Sequence, residues 1–364
     1  MKYYIIAGEA SGDLHGSKIM ESIKKLDKKA KFRFWGGEKM KEIGGEIVKH
    51  VNQLSFMGFW EVLKNINTIY KNISFCKKDI NTYQPDKIIY IDFPGFNMVI
   101  AKWAKTNGFQ NHFYISPQIW AWKESRIEKI KRDIDYLYVI LPFEKDYYKQ
   151  KHDLDVYYVG HPLVEIINKE KKNKDLFQLK FTKPVIALLP GSRKQEIKKM
   201  MPVFKSVIHH FSNYEFIIAG VSNISKEWYG EILKDDKIKI VYDKTYDLLK
   251  RSTAAIVTSG TATLETALFN VPQIVCYKSS LFSYLVGKLF IKLKFISLVN
   301  IIMEKEVVKE LIQKDCSKRN IIAELYQLLK NENILKVKKE YEILRNKLGK
   351  EKTSLKVAKL ITKM

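Results

Sequence analysis

The sequence predicts an α/β protein with two Rossmann-like domains and a helical carboxyl-terminal segment. Short apolar runs of strand type alternate with stretches of helical period, which is typical of parallel sheets with crossover helices. The alternation stops over the polar, Lys-rich residues 168 to 183 and restarts at Pro184, so we place the domain boundary there. With 364 residues, 46% of them hydrophobic, the chain is long enough for two cores and is not a disordered polymer.

The first predicted domain covers residues 1 to 170. Several of its strands end in a Gly or Pro turn, for example Gly8 and Pro94-Gly95. The carboxyl ends of the strands are where an open α/β sheet binds its ligands. Strands are predicted near 2 to 7, 31 to 35, 87 to 92, 112 to 115, 136 to 141 and 156 to 159.

The second predicted domain covers residues 171 to 335, and its pattern is helical beyond Val307. Residues 336 to 364 carry ten Lys or Arg against three Glu but retain regularly spaced Leu residues, so we expect basic helices there. Strands are predicted near 185 to 189, 215 to 219, 238 to 242, 254 to 258 and 273 to 277, with helices such as 195 to 211 and 261 to 270.

The charge of the chain limits the classes of partner. Lys and Arg outnumber Asp and Glu by 64 to 40, a net charge of +24, which favours nucleic acid, phosphorylated metabolites or an acidic membrane surface. Only seven of the cationic residues are Arg. Dispersed Lys argues against a nucleic-acid-binding protein, which would cluster Arg with aromatic residues.

Cysteine spacing and hydropathy predict a cytoplasmic protein. Cys76, Cys276 and Cys316 lie far apart, so the sequence supports neither a disulfide framework nor a zinc site. The amino terminus lacks the apolar stretch of a signal peptide. The most apolar segment, 281 to 302, is interrupted by three Lys, so no spanning helix is expected.

The first candidate ligand site is the turn Leu189-Pro190-Gly191-Ser192-Arg193. A strand that ends in Gly-Ser and opens a helix presents free backbone N–H groups and a positive dipole to an anion. Arg193 adds a guanidinium suited to phosphate oxygens. We interpret the turn as a diphosphate cradle, with an ordinary turn carrying a solvated Arg as the alternative.

A second cradle is predicted between a strand and a helix at Ser259-Gly260-Thr261-Ala262-Thr263. Small residues let a phosphate approach the backbone, and Glu265, one turn into the helix, can accept both ribose hydroxyls. Taken alone, a Glu at this position is more often a solvated helix residue or a capping partner. Neither turn is GxGxxG or GxxxxGK[ST], so NAD and P-loop chemistry are disfavoured and no cofactor is expected.

The loop Gly8-Glu9-Ala10-Ser11-Gly12-Asp13 also joins a strand to a helix. Its two carboxylates would repel a diphosphate, so it suits sugar hydroxyls better. The alternative is a tight turn in which Ser11 or Asp13 caps the helix.

Asp92 is placed at the carboxyl end of a buried strand, within Ile91-Asp92-Phe93-Pro94-Gly95-Phe96-Asn97. A carboxylate among aromatic residues can have a raised pKa and act as a general base for a hydroxyl nucleophile. A plain helix cap before Pro94 is the alternative. After the next strand, Trp120 and Trp122 either belong to the core or stack on a sugar ring.

Residues 54 to 75 carry an apolar stripe of helical period with flanking Lys. Such a stripe is usually core. A helix with bulky aromatic residues and adjacent Lys is also what an interfacial membrane contact uses. The residues that would make this contact are Phe59, Trp60, Leu63 and Ile66.

Together these motifs resemble one family, the bacterial lipid A disaccharide synthases, which are GT-B glycosyltransferases of family 19. They occur in order from residue 1 to about 315 and are highly specific as a set. The matching stretches are GEASGD (8 to 13), MGFWEVL (57 to 63), IDFPGFN (91 to 97), SPQIWAW (116 to 122), LPFE (141 to 144), VGHPL (159 to 163), LPGSR (189 to 193), SGTATLE (259 to 265), SLVNII (297 to 302) and VVKELIQ (307 to 313).

The resemblance implies a GT-B architecture, in which two Rossmann-like domains face across a cleft. It also implies transfer of 2,3-diacylglucosamine from its UDP derivative to the 6-hydroxyl of 2,3-diacylglucosamine 1-phosphate, with release of UDP. An α-linked donor that gives a β linkage requires inversion by a single in-line displacement with a base on the far side. Asp92 is our candidate for that base, with Glu9 as the rival, and no metal is required.

The resemblance also assigns the remaining contacts. Asn300 and Glu310 match the late motif of the family and would complete the nucleotide pocket. The basic helices after 336 would cross to the first domain or to a partner subunit, giving a possible homodimer. The protein would lie on the cytoplasmic side of the anionic inner membrane of a Gram-negative bacterium, as a peripheral protein. The acceptor sugar would contact Gly8, Ser11, Gly12, Asp13, Asn97, Gln118 and Trp120.

Two other functions are compatible with parts of the sequence. The second-domain cradles would serve another UDP-sugar enzyme of the same fold, such as a UDP-N-acetylglucosamine 2-epimerase or the murein glucosaminyltransferase. The motifs SPQIWAW and IDFPGFN argue against both. The basic composition leaves a nucleic-acid-binding protein as the less favoured alternative.

Overall fold

The computed structural model describes residues 1 to 54, 66 to 173, 181 to 234, 238 to 279, 294 to 349 and 352 to 364. The chain divides into two compact units. The first comprises Met1–Pro162 and Glu351–Met364, and the second comprises Leu163–Lys350. Each unit contains a parallel sheet with helices, as the alternating sequence pattern predicts.

The first unit begins as a regular alternation of strands and helices. A short 3-10 turn, Val51–Gln53, follows its third strand, and a second one, Glu124–Arg126, precedes its fifth helix. In chain order the elements are β1 (Lys2–Ala7), α1 (Ala10–Leu26), β2 (Lys31–Gly36), α2 (Glu38–Ile43), β3 (Glu46–His50), α3 (Ile66–Tyr83), β4 (Lys87–Ile91), α4 (Pro94–Thr106), β5 (Asn111–Tyr114), α5 (Ile127–Asp133), β6 (Tyr136–Val139), α6 (Glu144–His152) and β7 (Tyr157–Tyr158).

The strands of the first unit form a parallel sheet in the order β3-β2-β1-β4-β5-β6-β7. All five residues of β4 are buried, because helices cover both faces of a sheet of this type. Large aromatic side chains fill the core, and the Trp35 indole N–H donates to the Tyr4 hydroxyl at 2.8 Å. The order reverses direction between β1 and β4, which makes this pair the topological switch point.

The last helix of the chain, α15 (Thr353–Lys363), belongs to the first unit and packs on α1. The hydroxyl of Ser22 lies 3.2 Å from that of Ser354 in a buried contact. The buried Lys87 ammonium donates to the Ile361 carbonyl at 2.6 Å. These contacts join residues more than 270 positions apart in sequence, so the carboxyl terminus completes the first unit.

The second unit starts within α7 (Pro162–Lys172), whose first residue belongs to the first unit. It repeats the alternation and then becomes helical. Its further elements are β8 (Val185–Leu189), α8 (Lys194–Ile208), β9 (Glu215–Gly220), α9 (Lys226–Leu233), β10 (Lys239–Tyr242), α10 (Thr245–Arg251), β11 (Ser252–Thr258), α11 (Thr261–Leu268), β12 (Gln273–Tyr277), α12 (Leu298–Met303), β13 (Lys309–Ile312), α13 (Lys318–Leu328) and α14 (Asn331–Leu348).

The second sheet is also parallel, in the order β10-β9-β8-β11-β12-β13. It has the same reversal as the first sheet, here between β8 and β11. The helix α14 is held on this unit by buried polar contacts. The Gln273 amide donates to the Tyr341 hydroxyl at 3.2 Å, and the Arg345 guanidinium donates to the Leu268 carbonyl at 2.9 Å.

Two strands differ from the sequence prediction. No strand was expected at β3, and residues beyond Val307 were expected to be helical, whereas Lys309–Ile312 forms β13 and pairs with β12. Both are edge strands of their sheets. Their side chains are mostly exposed or half-buried, so they lack the apolar run that marks a central strand. The helical prediction for residues 309 to 312 is therefore wrong.

The proposed membrane contact lies outside the described residues. Phe59, Trp60 and Leu63 fall within 55 to 65, and of Ile66 the structure describes only the backbone, at the start of α3. Most of the apolar segment 281 to 302 is also outside. Within the described parts of the chain, every helix is too short or too polar to cross a membrane.

Candidate active site

Both sheets place predicted site residues at their switch points. In the first sheet Glu9 follows β1 and Asp92 follows β4, and these strands are neighbours. In the second sheet the 191 to 193 turn follows β8 and the 259 to 263 turn follows β11, which are also neighbours. Open α/β sheets bind ligands in the crevice at such a point. Each unit therefore has a candidate site where its topology favours one.

The second unit has a cavity of about 410 Å³ at its switch point. Both predicted cradles line it, so the structure brings together residues that lie about 70 positions apart in sequence. Sequence reasoning did not assign five of the lining residues to the site, namely Glu196, Ala219, Val221, Thr245 and Thr258. The predicted residues that line it are Gly191, Ser192, Arg193, Ser259, Gly260, Thr261, Ala262 and Glu265.

The first cradle depends on a glycine. Gly191 has φ +114°, a conformation that L side chains rarely adopt, and a Cβ there would lie 2.7 Å from Oε2 of Glu196. The Glu196 carboxylate accepts from the Ser192 N–H at 3.3 Å and from Nη1 of Arg193 at 3.2 Å. A diphosphate would bind the same donors, so Glu196 occupies the place of an anion. This role of Glu196 was not predicted.

The second cradle is tied to the loop before α12. The Ser259 hydroxyl donates to the Ile296 carbonyl at 2.9 Å. The Thr263 side chain is fully buried and donates to the Gly260 carbonyl at 2.8 Å, so it shapes the turn without lining the cavity. By contrast, Thr258 lines the cavity, and its hydroxyl is buried with no hydrogen-bond partner among the described residues.

Glu265 lies where the cavity meets a second one of about 470 Å³. Its carboxylate accepts from the Tyr246 hydroxyl at 2.6 Å. Burial raises the pKa of Glu265, and the Tyr246 hydrogen bond opposes that rise by favouring the charged form. Tyr246 therefore orients the carboxylate, and the sequence carried no signal for this partner.

Asn300 and Glu310, predicted to complete a nucleotide pocket, do not line the cavity of about 410 Å³. The fully buried Asn300 accepts from the Val307 and Val308 N–H groups and donates to Glu310 Oε1 at 2.8 Å. Glu310 accepts from the Ile296 and Ser297 N–H groups, each at 2.9 Å. Because the Ser259 hydroxyl donates to the Ile296 carbonyl, this network fixes the loop to which the second cradle is hydrogen-bonded. In this structure both residues position the loop and do not contact the cavity.

In the first unit, Asp92 and Phe93 adopt strained backbone conformations. Their φ values are +48° and +50°, in the left-handed region that non-glycine residues rarely adopt. The buried Asn97 amide donates to the Asp92 carbonyl at 2.7 Å and the Asp92 N–H donates to the Tyr114 carbonyl at 2.9 Å. Asn97 is fully buried, so it supports Asp92 and does not face an acceptor directly.

Asp92 combines a raised pKa with a position at the switch point of this unit. Burial raises its pKa to about 6, and the negative charge of Glu9 contributes to the rise, while the Phe93 N–H opposes it. A carboxylate with a pKa near 6 is ionised at neutral pH and more basic than an ordinary Asp. Glu9 is half-buried at the amino-terminal end of α1, with its side chain uninvolved in capping.

The loop after β1 divides into structural and accessible residues. A Cβ at Gly8 would lie 2.4 Å from the Phe93 ring, so Gly8 lets that ring pack against the turn. Gly12 is buried. The buried Asp13 carboxylate accepts backbone N–H groups of Gly37, Lys39 and Met40 at 2.7 to 3.1 Å. Ser11 is exposed and remains accessible to a sugar.

The loop after β5 carries the other predicted acceptor contacts. Gln118 is exposed, and Trp120 is half-buried with its indole N–H donating to Oε1 of Glu144 at 3.0 Å. Glu144 also accepts from the Ile140 and Leu141 N–H groups. Burial raises the pKa of Glu144 to about 7 against these hydrogen bonds. Glu144, which sequence reasoning missed, fixes the orientation of Trp120.

Comparison with known proteins identifies the family. The family model described as lipid-A-disaccharide synthetase matches residues 3–364. The chain belongs to the lipid-A-disaccharide synthetase family. A relative from Coxiella burnetii (strain CbuK_Q154) named lipid-A-disaccharide synthase is 35% identical over 335 residues, which cover 90% of this chain and 89% of the relative. One of the same name from Geobacter metallireducens is 36% identical, covering 99% and 96%.

Solved structures agree with the fold class. The UDP-GlcNAc 2-epimerase from Neisseria meningitidis bound to UDP-GlcNAc matches with a TM-score of 0.65 at 13% identity, covering 100% of this chain and 99% of that chain. The UDP-GlcNAc 2-epimerase from Methanocaldococcus jannaschii, in complex with UDP-GlcNAc and UDP, has a TM-score of 0.67 at 15% identity, covering 100% of both chains. The predicted GT-B class and the family resemblance are both confirmed.

Proposed function

We propose that this synthase family member transfers 2,3-diacylglucosamine from its UDP derivative to the 6-hydroxyl of 2,3-diacylglucosamine 1-phosphate and releases UDP. The observation that carries the proposal is the pair of switch-point sites. The second unit offers an anion cradle, and the first offers a carboxyl with a raised pKa. These are the two groups that a glycosyl transfer from a nucleoside diphosphate needs.

The donor nucleotide binds to the second unit. Its diphosphate displaces Glu196 from the Ser192 N–H and from Arg193, and receives further N–H groups from the turn that opens α11. Its ribose hydroxyls donate to Glu265, which Tyr246 holds in place. Thr258 also lines the cavity, and its buried hydroxyl has no partner among the described residues.

The acceptor hydroxyl reacts at the first unit. Asp92 removes its proton as the oxygen attacks C1 of the donor sugar, and the bond from C1 to the phosphate oxygen breaks with its electron pair leaving on UDP. Glu9 is the rival base, since it also lies at the switch point. A single displacement from an α-linked donor gives a β linkage.

Hydrogen bonds to the departing diphosphate supply the other half of the catalysis. Negative charge grows on the phosphate oxygens as the bond to C1 breaks, and fixed donors at that position stabilise the transition state. Arg193 and the N–H groups of both cradles are such donors.

We also propose that the protein acts at the cytoplasmic face of an anionic membrane. Both substrates are acylated, and a net charge of +24 spread over many Lys favours an anionic surface. The apolar stripe with Phe59, Trp60, Leu63 and Ile66 is the proposed contact. Replacement of Phe59 and Trp60 with Ser should reduce binding to anionic vesicles, and unchanged binding would assign the stripe to the core.

The function is tested by substrate choice. The protein is incubated with the two acylated glucosamine substrates together, with each alone, and with water-soluble UDP-N-acetylglucosamine. We expect UDP release only when both acylated substrates are present. Rapid turnover of UDP-N-acetylglucosamine alone would instead assign the protein to the UDP-sugar epimerases.

A further inference from the structure

Two cations share one exposed aromatic ring on the loop between β5 and α5. The Trp122 side chain is 45% exposed. The Lys123 ammonium lies 4.7 Å from the centroid of its ring, and the Arg126 guanidinium carbon lies 5.1 Å from it. Ring contacts of this kind orient cations without neutralising them.

Arg126 has no ion pair with a carboxylate in the described parts of the chain. Arg33, Arg132 and Arg193 each have one. Two acidic residues, Glu124 and Glu128, lie two positions from Arg126 in sequence, and neither pairs with it. Glu124 is paired with Lys151 and lies 3.4 Å from His152. Among the described residues, Arg126 therefore has no carboxylate partner, and an external anion can supply the counter-charge.

Burial makes this arrangement costly unless an anion binds. Arg126 is half-buried, and burial lowers the pKa of its guanidinium. A partly desolvated charge without a counter-charge destabilises the folded state, and a second cation over the same ring adds like-charge repulsion. An anion between or beside the two cations would remove both penalties.

The backbone holds the cluster in place. Lys123 has φ +55°, a strained value for a residue with a side chain, and it begins the 3-10 turn that carries Arg126. The Arg126 N–H donates to the Lys123 carbonyl at 3.0 Å. Strain of this kind persists where the surrounding structure fixes a functional geometry.

The same loop starts at the switch-point edge of the sheet. It leaves β5 at Tyr114, whose carbonyl accepts the Asp92 N–H, and it carries the exposed Gln118 and the half-buried Trp120. Ile115, its first residue, is also strained, at φ +63°. A ligand with its reacting hydroxyl at Asp92 would therefore lie on the sheet edge from which this loop leaves.

We propose that Arg126, with Lys123 and the Trp122 ring, binds the phosphate monoester of the acceptor sugar and makes the enzyme specific for a phosphorylated acceptor. The assignment rests on the proposed function for the identity of the ligand. The chemistry favours a doubly charged oxyanion such as a phosphate monoester, because a planar guanidinium matches two phosphate oxygens and Lys123 adds a second charge. The aromatic face beside them can pack on the sugar.

The test compares acceptors with and without the phosphate, in micelles of a neutral detergent. For the wild-type enzyme we expect kcat/KM to fall when 2,3-diacylglucosamine replaces its 1-phosphate. Arg126→Ala should raise KM for the phosphorylated acceptor by about 10-fold or more and leave the donor KM unchanged. With the unphosphorylated acceptor the variant and the wild type should have equal rates.

Two variants control for charge and for geometry. Lys129→Ala removes an exposed cation from the neighbouring helix α5 and should change neither KM. Arg126→Lys keeps the charge but loses the two-point contact, so its KM for the phosphorylated acceptor should fall between the other values. An equal loss of activity with both acceptors would overturn the proposal and give Arg126 a structural role.

Two further measurements are needed. The first distinguishes the phosphate of the acceptor sugar from the phosphate of a membrane surface, and the second distinguishes failure of the phosphate site from failure of the proposed function. Loss of binding to anionic vesicles in Arg126→Ala, with an unchanged preference for the phosphorylated acceptor, would assign the cluster to the membrane surface and overturn the proposal. Binding of glucosamine 1-phosphate, measured by NMR, should weaken in Arg126→Ala even if no disaccharide forms. Arg126-dependent binding without turnover would contradict the proposed function alone, and binding independent of Arg126 would contradict the phosphate site.

Discussion

At the scale of single residues, the proposed function depends on a few side chains whose properties come from burial. Asp92 has a raised pKa because it is desolvated beside Glu9, and Glu265 is buried but kept oriented by Tyr246. The residue types could be predicted from the motifs. Their partners could not, because Tyr246 lies 19 residues from Glu265 and Glu196 meets the cradle only after α8 forms.

Replacement of Asp92 tests the identity of the base. Asp92→Asn should lower kcat by about 10²- to 10⁴-fold, the usual contribution of a general base. Its affinity for UDP should be unchanged, because Asp92 is in the other unit. If Asp92→Asn keeps a near-wild-type rate and Glu9→Gln loses activity, the base is Glu9.

The pH dependence follows from the same pair of carboxyls. A base works when deprotonated, so kcat/KM should fall as the pH drops below about 6, the pKa to which burial and Glu9 raise Asp92. Glu9→Gln removes a negative charge that raises this pKa and should move the acidic limb to lower pH. A limb that stays in place or moves to higher pH would show that Asp92 is not the titrating group.

Substitutions at Arg193 and Tyr246 should weaken the binding of different parts of the nucleotide. Arg193→Ala should weaken binding of both UDP and pyrophosphate by about 10-fold, since it removes a charged donor to the diphosphate. Lys198→Ala, an exposed cation on the same helix α8, is the matched control. Isothermal titration calorimetry measures each affinity, and an unchanged affinity in Arg193→Ala would remove it from the site.

Tyr246→Phe deletes only the hydroxyl that orients Glu265. This change should weaken UDP binding by about 10-fold and leave pyrophosphate binding unchanged, because Glu265 is proposed to bind the ribose and not the diphosphate. Equal weakening of both ligands in the same titration would place Glu265 near the diphosphate instead.

At the scale of the element, each predicted central strand agrees with the structure to within two residues at either end. These strands are continuous apolar runs bounded by Gly or Pro, for example β8 and β12. The edge strands β3 and β13 escaped prediction because half-exposed strands carry polar residues. The left-handed conformation of Asp92 also had no sequence signal, since it depends on a hydrogen bond from Asn97 one turn into α4.

Removal of the hydrogen bond from the Asn97 amide to the Asp92 carbonyl tests whether the turn before α4 supports the proposed catalysis. Asn97→Ala should lower kcat while the affinity for UDP stays unchanged, because the Asp92 carbonyl loses its donor and the strained turn relaxes. It should also cost about 1–3 kcal/mol of stability. Asn107→Ala, at the exposed end of the same helix, is the control. Unchanged turnover in Asn97→Ala would show that the turn holds its shape without this contact.

At the scale of the whole molecule, the carboxyl terminus is part of the first unit. The sequence predicted basic helices after 336 but left their destination open. The structure divides them, with α14 on the second unit and α15 on the first, because α14 packs on Gln273 and α15 on α1. The destination of α15 depends on contacts across more than 270 residues, which local patterns do not reveal.

A substitution that leaves a cavity beneath α15 should destabilise the first unit. Ile361→Ala removes a fully buried side chain and should cost about 2–5 kcal/mol. Thermal unfolding should then begin at a lower temperature, while the affinity of the second unit for UDP is unchanged. Lys359→Ala, exposed on the same helix, should leave the unfolding temperature unchanged. An Ile361→Ala variant as stable as the wild type would contradict the packing of α15.

The most direct test of the central claim is the product itself. The wild-type protein is incubated with the UDP-linked donor and the acylated acceptor 1-phosphate, released UDP is quantified, and the linkage of the purified product is determined by NMR. We expect one UDP for each disaccharide and a β linkage to the 6-position. An α linkage, or UDP released at the same rate without acceptor, would contradict the account.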